Sequence, residues 1–484
     1  MSDLPHVVVV GGGISGLAAA WFLTRGIKGP RATVTLLEAG PEVGGKLRVE
    51  QVGGIGVDTG AEAMLATRPE ALNLCRELGL DLQPAATTTA AIYSRGQMRP
   101  MPGATLTGVP TDLRRLAASG ILSLPALLRI PLDHLLPRTV LHGDVSVGDY
   151  VTTRLGADVT ARLVEPMLGG VYAGRAEDLS LQTAVPALYR AAGRRRSALE
   201  AARSVLEDGR KTTGPRRGPL FVGIEGGVSR LATELATALQ QDGVTIRTGA
   251  VVQRLRHRAD GWDVVVGNGR GRYGTHRADA VLLATPAHVS ADLLIDVNRS
   301  AADELRQIEY ADVAVATLGY RAADACGLTG SGFLVPPVEG YAVKGVTYSS
   351  NKWSWIAEHA RSEDPDGLFL LRASVGRAGD PLVADATDAE LIRLAADDVA
   401  SLTGLPRRPE VEHVTRWEQS LPQYNVGHRT RASETREWLL NTPGLGLCGA
   451  AFEGVGIPAC IGSAQAAVSS VLQQFTQRRE WAHG

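Results

Sequence analysis

The chain has 484 residues, of which 44% are hydrophobic, and its formal net charge at pH 7 is −1. A single hydrophobic core stops growing at roughly 250–300 residues, so this length predicts at least two domains. A mean hydropathy of −0.00 is typical of a soluble globular protein, and the balanced charge gives no reason to expect a nucleic-acid partner.

Several features favour a cytoplasmic location. The opening run HVVVV lacks the basic flank and the length of a signal peptide, and it is better explained as a strand. The longest apolar stretch, Gly120 to Leu141, contains prolines, arginines and an aspartate, so we expect no membrane-spanning helix, although a peripheral membrane contact stays open there. The four cysteines are Cys75, Cys326, Cys448 and Cys460. Their spacing fits neither a metal site nor a redox motif, which is what we expect of a protein in a reducing compartment.

A glycine motif follows the first apolar strand. Val7 to Val10 form the continuous apolar run of a buried parallel strand, and Gly11, Gly13 and Gly16 form a GxGxxG pattern directly after it. The first glycine permits a tight turn, the second lets the backbone approach a pyrophosphate, and the third lets the next helix pack closely. That helix, predicted from about Ile14 to Arg25, points its N-terminal amides at the phosphates. The pattern therefore predicts a dinucleotide site in a Rossmann-like domain.

An acidic residue ends the second apolar strand. Glu38 follows TVTLL, 22 residues after Gly16. Its carboxylate can accept hydrogen bonds from the two hydroxyls of a ribose, and it would repel a 2′-phosphate, which argues against NADP. The residues alone leave NAD and FAD open.

The next segment distinguishes these two cofactors by resemblance. Gly44 and Gly45 precede Lys46 and Arg48, and VDTGAE follows. The whole GxGxxG…E…GGK…DTG series resembles the superfamily of flavin-containing amine oxidases and protoporphyrinogen oxidases. The resemblance implies FAD, bound non-covalently, with the paired glycines over the pyrophosphate and the segment after DTG beside the flavin ring. It implies FAD contacts at Gly11, Gly12, Gly13, Ile14, Ser15, Gly16, Glu38, Ala39, Gly45, Lys46, Gly60, Ala61, Glu62 and Ala63.

The pattern along the chain alternates between two kinds of domain. An amphipathic helix is predicted from about Pro69 to Leu80, and Ser229 is predicted to cap another helix, which Gly243 ends. VTIRTGAVVQRL predicts a strand pair, followed by a hairpin and a buried strand from Ala280 to Ala284. We predict an α/β fold in which a Rossmann-like FAD-binding domain (1–86, 219–297 and 413–484) is interwoven with a mixed α+β substrate-binding domain (298–412) and a largely helical lobe (87–218).

The C-terminal region carries the most specific motif. GLGLCGAAFEGVGIPACIGSAQAA predicts a buried strand, a glycine turn and a long helix with Pro458 in its first turn. With GVYAGRAEDLS, SSNKW and RWEQSLPQYNVGH, it resembles the bacterial protoporphyrinogen/coproporphyrinogen oxidase family. Two departures are Ala450, where an aspartate is common, and Arg175, where an acid is common. The resemblance adds FAD contacts at Val252, Trp417, Gly449, Val455, Gly456 and Ile457.

The resemblance implies a reaction. It is the six-electron oxidation of coproporphyrinogen III to coproporphyrin III in haem synthesis, with three dioxygen molecules reduced to hydrogen peroxide and ferrochelatase as a recipient of the product. Oxidation of protoporphyrinogen IX is the nearest alternative, and a flavin amine oxidase or carotenoid desaturase is more distant. A partner-binding relative without flavin is a fourth reading, against which the intact glycines argue.

The substrate of such a reaction carries carboxylates, which need cations. Arginine suits bidentate binding of a carboxylate, and the chain offers several basic residues near the predicted site. His428 is predicted to be structural, and no proton acceptor is identified. The candidate substrate-binding residues are Arg68, Lys352, Arg175, Lys344 and Tyr172.

Overall fold

The computed structural model describes residues 4–26, 31–213, 218–267, 273–363 and 367–483. Two large sheets organise these residues, and helices cover both. Among the described helices, none is both long and apolar enough to cross a bilayer.

The first sheet has five parallel strands and forms the Rossmann-like part of the molecule. The apolar run after His6 lies in its centre, where Val8 pairs with Thr35 on one side and Val281 on the other. Because helices cover both faces, its valines and leucines are almost completely buried. The strands, in spatial order, are Thr245–Arg247, Thr33–Leu37, His6–Val10, Ala280–Leu283 and Leu445–Leu447. The prediction of an α/β fold is confirmed.

Four helices pack on one face of this sheet around one core. In one of them Leu231, Leu235 and Leu239 share the buried face, as their spacing requires. The predicted cap Ser229 is wrong, because its side chain makes no capping bond; the Asp58 carboxylate instead accepts the backbone N–H groups of Val228 and Ser229 at 2.8 and 3.2 Å. The helices are Ile14–Thr24, Pro69–Glu77, Ser229–Gln241 and Ile457–His483.

On the other face, the three helices Ala287–Leu294, Arg299–Arg306 and His428–Leu439 lie near a three-stranded antiparallel sheet. The predicted pair within VTIRTGAVVQRL is wrong, because Thr245–Arg247 joins the parallel sheet while the following strand pairs with the hairpin. The three strands are Val251–Arg258, Gly261–Gly267 and Tyr273–Ala278.

The second large sheet has seven strands and is mostly antiparallel. Its one parallel pair joins Gly332–Leu334 to Ala90–Ser94. The sheet therefore combines strands from three of the predicted segments, and the strand with Trp417 reaches from one predicted segment into the next. In spatial order the strands are Val411–Pro422, Tyr310–Arg321, Leu368–Val375, Val343–Thr347, Gly332–Leu334, Ala90–Ser94 and Gln97–Pro100.

Further helices pack on this second sheet, and the remaining strands are short. The helices are Pro337–Glu339 (a 3-10 turn), Ser349–Lys352, Ser354–Glu363, Leu382–Asp385 and Asp388–Thr403. The strands are Val49–Val52 with Ile55–Asp58, Thr105–Leu106 with Val109–Pro110, and Met64–Leu65 with Phe221–Ile224 and Leu82–Pro84.

A helical lobe lies beside the second sheet and has its own core. Its interior holds Arg154, whose guanidinium donates to the Asp133 carboxylate at 2.5 Å and to three backbone carbonyls. Four leucines between residues 124 and 135 point outward at helical spacing. The helices are Leu113–Ser119, Leu124–Arg129, Ile130–His134 (3-10), Val147–Leu155, Ala157–Val159, Thr160–Val164 (π), Glu165–Tyr172, Leu181–Ala184, Pro186–Ala192 and Ala198–Thr213.

Candidate functional site

A cavity of about 800 Å³ lies where the carboxyl ends of the parallel strands meet the seven-stranded sheet. Ligands of open α/β sheets bind at this edge, since loops and helix N-termini converge there. The wall contains the strand-end residues Val10, Leu37 and Ala284 on one side and Val315 and Val346 of the second sheet on the other.

The GxGxxG turn forms one end of the cavity. Gly11 has φ +102°, and a Cβ atom on Gly16 would lie 1.8 Å from the Gly11 carbonyl oxygen, so both positions require glycine. A Cβ atom on Gly13 would meet no atom of the described chain within 4 Å. Since Gly13 lines the cavity, its missing side chain leaves room for a ligand against the backbone.

Glu38 is held beside this turn by two backbone groups. One carboxylate oxygen accepts the Gly12 N–H and the other accepts the Gly40 N–H, both at 2.6 Å. The side chain lines the cavity. Each carboxylate oxygen retains lone pairs for a hydroxyl donor, as the ribose-binding prediction requires.

The loop with paired glycines folds back over the turn. The Gly44 N–H donates to the Gly12 carbonyl at 2.8 Å, and the Gly45 backbone approaches Gly13 so closely that a Cβ atom there would lie 3.2 Å from the Gly13 Cα. Lys46 follows and faces the cavity. Desolvation lowers the pKa of Lys46, and within the described chain no carboxylate pairs with it. An anionic ligand would supply that counter-charge.

The segment after DTG is fixed from two sides. A Cβ atom on Gly60 would lie 2.0 Å from the Lys46 carbonyl oxygen and 3.1 Å from the Trp417 ring. The indole N–H of Trp417 donates to the Thr59 carbonyl at 2.9 Å. Gly60 and Trp417 therefore form one continuous piece of cavity wall.

Glu62 joins that wall to the second sheet. Its carboxylate accepts hydrogen bonds from the Lys352 ammonium and, at 2.8 Å, from the Arg372 guanidinium, which also donates to the Gly60 carbonyl at 2.6 Å. Burial alone would raise the pKa of Glu62, but the two cations outweigh it and lower the pKa to about 2. The cluster of Glu62, Lys352 and Arg372, named here the Glu62 cluster, is therefore ionised.

The C-terminal motif closes the cavity. Gly449 has φ +131°, and a Cβ atom there would lie 4.0 Å from the Ser15 hydroxyl, so the C-terminal turn adjoins the helix that follows the GxGxxG turn. Tyr424 donates to the Ala450 carbonyl, and the buried His428 ring contacts the Ala451 carbonyl at 2.9 Å. Those contacts to backbone make His428 a support of the turn.

The structure brings together nearly all the predicted cofactor-binding residues. Three of the predicted residues, Gly12, Gly16 and Gly456, do not line the cavity, and the first two instead shape the turn. The predicted residues that line it are Gly11, Gly13, Ile14, Ser15, Glu38, Ala39, Gly45, Lys46, Gly60, Ala61, Glu62, Ala63, Val252, Trp417, Gly449, Val455 and Ile457.

The predicted substrate-binding residues are dispersed. Arg68 pairs with Glu70 at 2.6 Å, the exposed Arg175 lies 3.5 Å from Glu177, and Lys352 belongs to the Glu62 cluster. The Tyr172 ring packs against Tyr424 with centroids 5.4 Å apart. Of the five candidates, Lys344 lines the cavity.

Sequence reasoning missed Arg372, which lines the cavity. Arg372 stands alone in the apolar strand LFLLRASV. A charged residue inside an apolar strand is costly unless it has a partner or a task, and that signal could have identified it. Tyr310 and Phe333 also line the cavity without a motif to mark them.

Comparison with known proteins gives the family. Residues 14–472 match the family described as flavin containing amine oxidoreductase. Coproporphyrinogen III oxidase from Mycobacterium tuberculosis (strain ATCC 25618 / H37Rv) is 37% identical, covering 96% of this chain and 97% of the relative. Human protoporphyrinogen oxidase is 30% identical, covering 96% and 98%.

A solved structure shows the same architecture. A crystal structure from Exiguobacterium sp. 255-15 superposes with a TM-score of 0.84 at 27% identity, covering 98% of this chain and 99% of the other. The fold and the sequence agree with those of known proteins along almost the whole length. The chain belongs to the flavin containing amine oxidoreductase family, and within it to the group of the coproporphyrinogen III and protoporphyrinogen oxidases.

Proposed function

We propose that this chain is an oxygen-dependent oxidase that converts coproporphyrinogen III to coproporphyrin III with non-covalently bound FAD. The observation that carries the proposal is one continuous cavity, in which a dinucleotide-binding end and an apolar end with a buried lysine adjoin. The similarity to bacterial coproporphyrinogen III oxidases over nearly the full chain supports the choice of substrate.

The donor set at the first end fits FAD. Glu38 would accept the ribose hydroxyls, and the turn at Gly13 with the helix N-terminus at Ile14 would hold the pyrophosphate. Lys46 would supply positive charge, since it lacks a carboxylate partner in the described chain. When bound, FAD accepts two electrons at a time from a substrate and passes them to dioxygen.

The other end suits an apolar macrocycle. Val313, Val315, Leu334 and Val346 line it, and Phe333 adds an aromatic surface. These side chains would exclude water and orient the tetrapyrrole against the cofactor, which is how proximity lowers a barrier. His428 does not act as a base here, because its ring is buried against backbone and lies outside the cavity wall.

Two measurements test the function. Purified protein should be yellow and should release FAD on denaturation without proteolysis, whereas flavin that stays with the polypeptide contradicts non-covalent binding. Steady-state kinetics with coproporphyrinogen III and protoporphyrinogen IX should then give a higher kcat/KM for coproporphyrinogen III. Equal values, or a preference for protoporphyrinogen IX, would contradict the substrate assignment.

We further propose a cytoplasmic location and transfer of the product to a ferrochelatase. The four cysteines are unpaired, and Cys326 is exposed, as a reducing compartment permits. Exposed leucines at 124, 128, 132 and 135 offer a surface for peripheral membrane contact. Cell fractionation tests the location, liposome flotation tests the membrane contact, and surface plasmon resonance with the ferrochelatase of the same cell tests the transfer.

A further inference from the structure

Two cations near the second sheet lack a carboxylate partner in the described chain, as Lys46 does at the cofactor end of the cavity. Lys352 and Arg372 share Glu62, and Arg68 has Glu70. Lys344 and Arg377, by contrast, form no ion pair with any carboxylate in the described ranges. These two residues are named here the Lys344 pair. Lys344 lies in the strand Val343–Thr347, and Arg377 lies two residues after the end of the neighbouring strand Leu368–Val375.

A bulge places Lys344 in the wall. The register between Val343–Thr347 and Leu368–Val375 shifts between Val343 and Gly345, so Lys344 is the extra residue of the strand. Such bulges redirect a side chain and are frequent beside functional sites. The Lys344 side chain lines the cavity although its residue is only 4% exposed.

The Lys344 ammonium is incompletely satisfied. It donates to the Gly376 carbonyl at 2.7 Å, and the described chain provides no acceptor for its other two protons. Burial, with a smaller contribution from the charge of Arg377, lowers the pKa of Lys344 to about 7. A carboxylate bound beside Lys344 would stabilise its charged form and raise this pKa.

Arg377 is the second member of the pair. One guanidinium nitrogen donates to the Val335 carbonyl at 3.3 Å, and the buried Nη1 has no hydrogen-bond partner in the part of the chain described. Nη1 lies against Gly169, where a Cβ atom would be 2.9 Å away, so the glycine makes room for it. The neighbouring Gly170 lines the cavity.

The surrounding charges do not neutralise the pair. Glu165 and Asp380 act on Arg377 from beyond ion-pair distance, and Arg175 adds a further positive charge. The Glu165 carboxylate is already bound to the Ala176 N–H at 2.7 Å, and burial raises its pKa. Neither Glu165 nor Asp380 forms an ion pair with Lys344 or Arg377.

We propose that Lys344 and Arg377 form a carboxylate-binding subsite of the cavity, which takes one propionate of the tetrapyrrole. This inference rests on the proposed function for the identity of the carboxylate. A propionate oxygen would occupy the free donor positions of Lys344 and the Nη1 position of Arg377, and charge-assisted hydrogen bonds of this kind are among the stronger ones in proteins. The subsite then fixes which edge of the macrocycle faces inward.

The test compares an acid with its ester. Coproporphyrin III has four carboxylates and its tetramethyl ester has none, and both can be titrated by fluorescence into FAD-loaded protein in the same buffer. We expect Lys344→Met to weaken binding of the acid about 10- to 100-fold while changing that of the ester less than about twofold. Lys344→Arg should keep most of the preference for the acid.

Controls separate the subsite from folding and from the proposed function. Arg321→Met removes an exposed cation of the same sheet and should change the binding of neither the acid nor the ester. If Lys344→Met fails to load FAD, Arg377→Gln provides the same comparison. If Lys344→Met loses equal affinity for the acid and for the ester, or loses none for either, the proposed subsite is wrong. A wild-type enzyme that binds the acid through Lys344 yet does not oxidise coproporphyrinogen III overturns the proposed function alone.

Discussion

The Glu62 cluster and the Lys344 pair each include one residue of two neighbouring strands, Arg372 and Lys344, yet their buried charges are compensated differently. In the Glu62 cluster one carboxylate serves two cations, and the guanidinium of Arg372 also fixes the Gly60 carbonyl. In the Lys344 pair two cations face backbone carbonyls only. The first arrangement stabilises the cavity wall, and the second leaves capacity for a ligand.

Removing the shared carboxylate should have the largest effect. In Glu62→Gln the Lys352 and Arg372 charges lose their counter-ion inside the protein. We expect the free energy of unfolding to fall by about 3–5 kcal/mol. Chemical denaturation of the FAD-loaded protein measures it, with Glu410→Gln at an exposed ion pair as the control, which should cost less than about 1 kcal/mol. A loss below about 1 kcal/mol for Glu62→Gln would show that the cluster contributes little stability.

His428, like Lys344, is a buried base whose hydrogen-bond partner is a backbone carbonyl. We therefore expect its lowered pKa to make the stability of the protein depend on pH. Burial lowers the pKa of His428 to about 4 from the usual 6.5. The unfolded state therefore binds more protons between these pH values, so stability should fall by roughly 3 kcal/mol as the pH drops from 6.5 to 4.

Denaturation at a series of pH values measures this loss. His428→Gln keeps a polar group at the Ala451 carbonyl but does not titrate, so it should flatten the profile over that range. An equal slope in the wild type and the variant would contradict the assignment of the pH dependence to His428.

A substitution at the cofactor end of the cavity should weaken FAD binding without affecting the substrate end. Gly13 has φ −70°, which alanine adopts readily, and its Cβ would project into open space. Gly13→Ala should leave the stability of the FAD-free protein unchanged and raise the Kd for FAD at least about tenfold, because the methyl group blocks the approach of the pyrophosphate. Isothermal titration calorimetry measures the Kd, and Gly193→Ala, at an exposed helix end, is the control. Unchanged FAD affinity would place the pyrophosphate elsewhere.

The smallest effect concerns the pH dependence of KM. With a pKa of about 7, Lys344 is half protonated at pH 7 and about one-tenth protonated at pH 8. Since only the charged form pairs with a propionate, KM for coproporphyrinogen III should rise about fivefold between these values. Glu165, Asp380, Arg175 and Arg377 also lie near this region. Lys344→Arg stays charged and should show a flat profile, so the same rise in this variant would implicate one of those groups instead.

The sequence allowed the parallel sheet and the cofactor end of the cavity to be predicted because local rules act there. Glycine spacing, a buried valine run and Glu38 each have a backbone consequence that is independent of distant residues. The cap of the helix Ser229–Gln241 was not predictable in this way, because Asp58 lies 170 residues before Val228 in the chain.

The substrate end was harder to predict for the same reason. Arg68, Arg175 and Lys352 are plausible carboxylate ligands by residue type, and only the folded chain shows that each already has an acidic partner. Lys344 has no such partner in the described residues, and its place in the wall depends on the bulge and on contacts between separate strands. Which cations remain available is therefore a tertiary property.

The most direct test of the central claim is the stoichiometry of the reaction. Purified, FAD-loaded protein is mixed with coproporphyrinogen III in an oxygen-electrode cell, and oxygen uptake, hydrogen peroxide and coproporphyrin III are quantified together. An oxygen-dependent six-electron oxidation predicts three oxygen molecules consumed and three peroxide molecules formed for each porphyrin. Porphyrin formation at the same rate without oxygen, or oxygen uptake without porphyrin, would contradict the account.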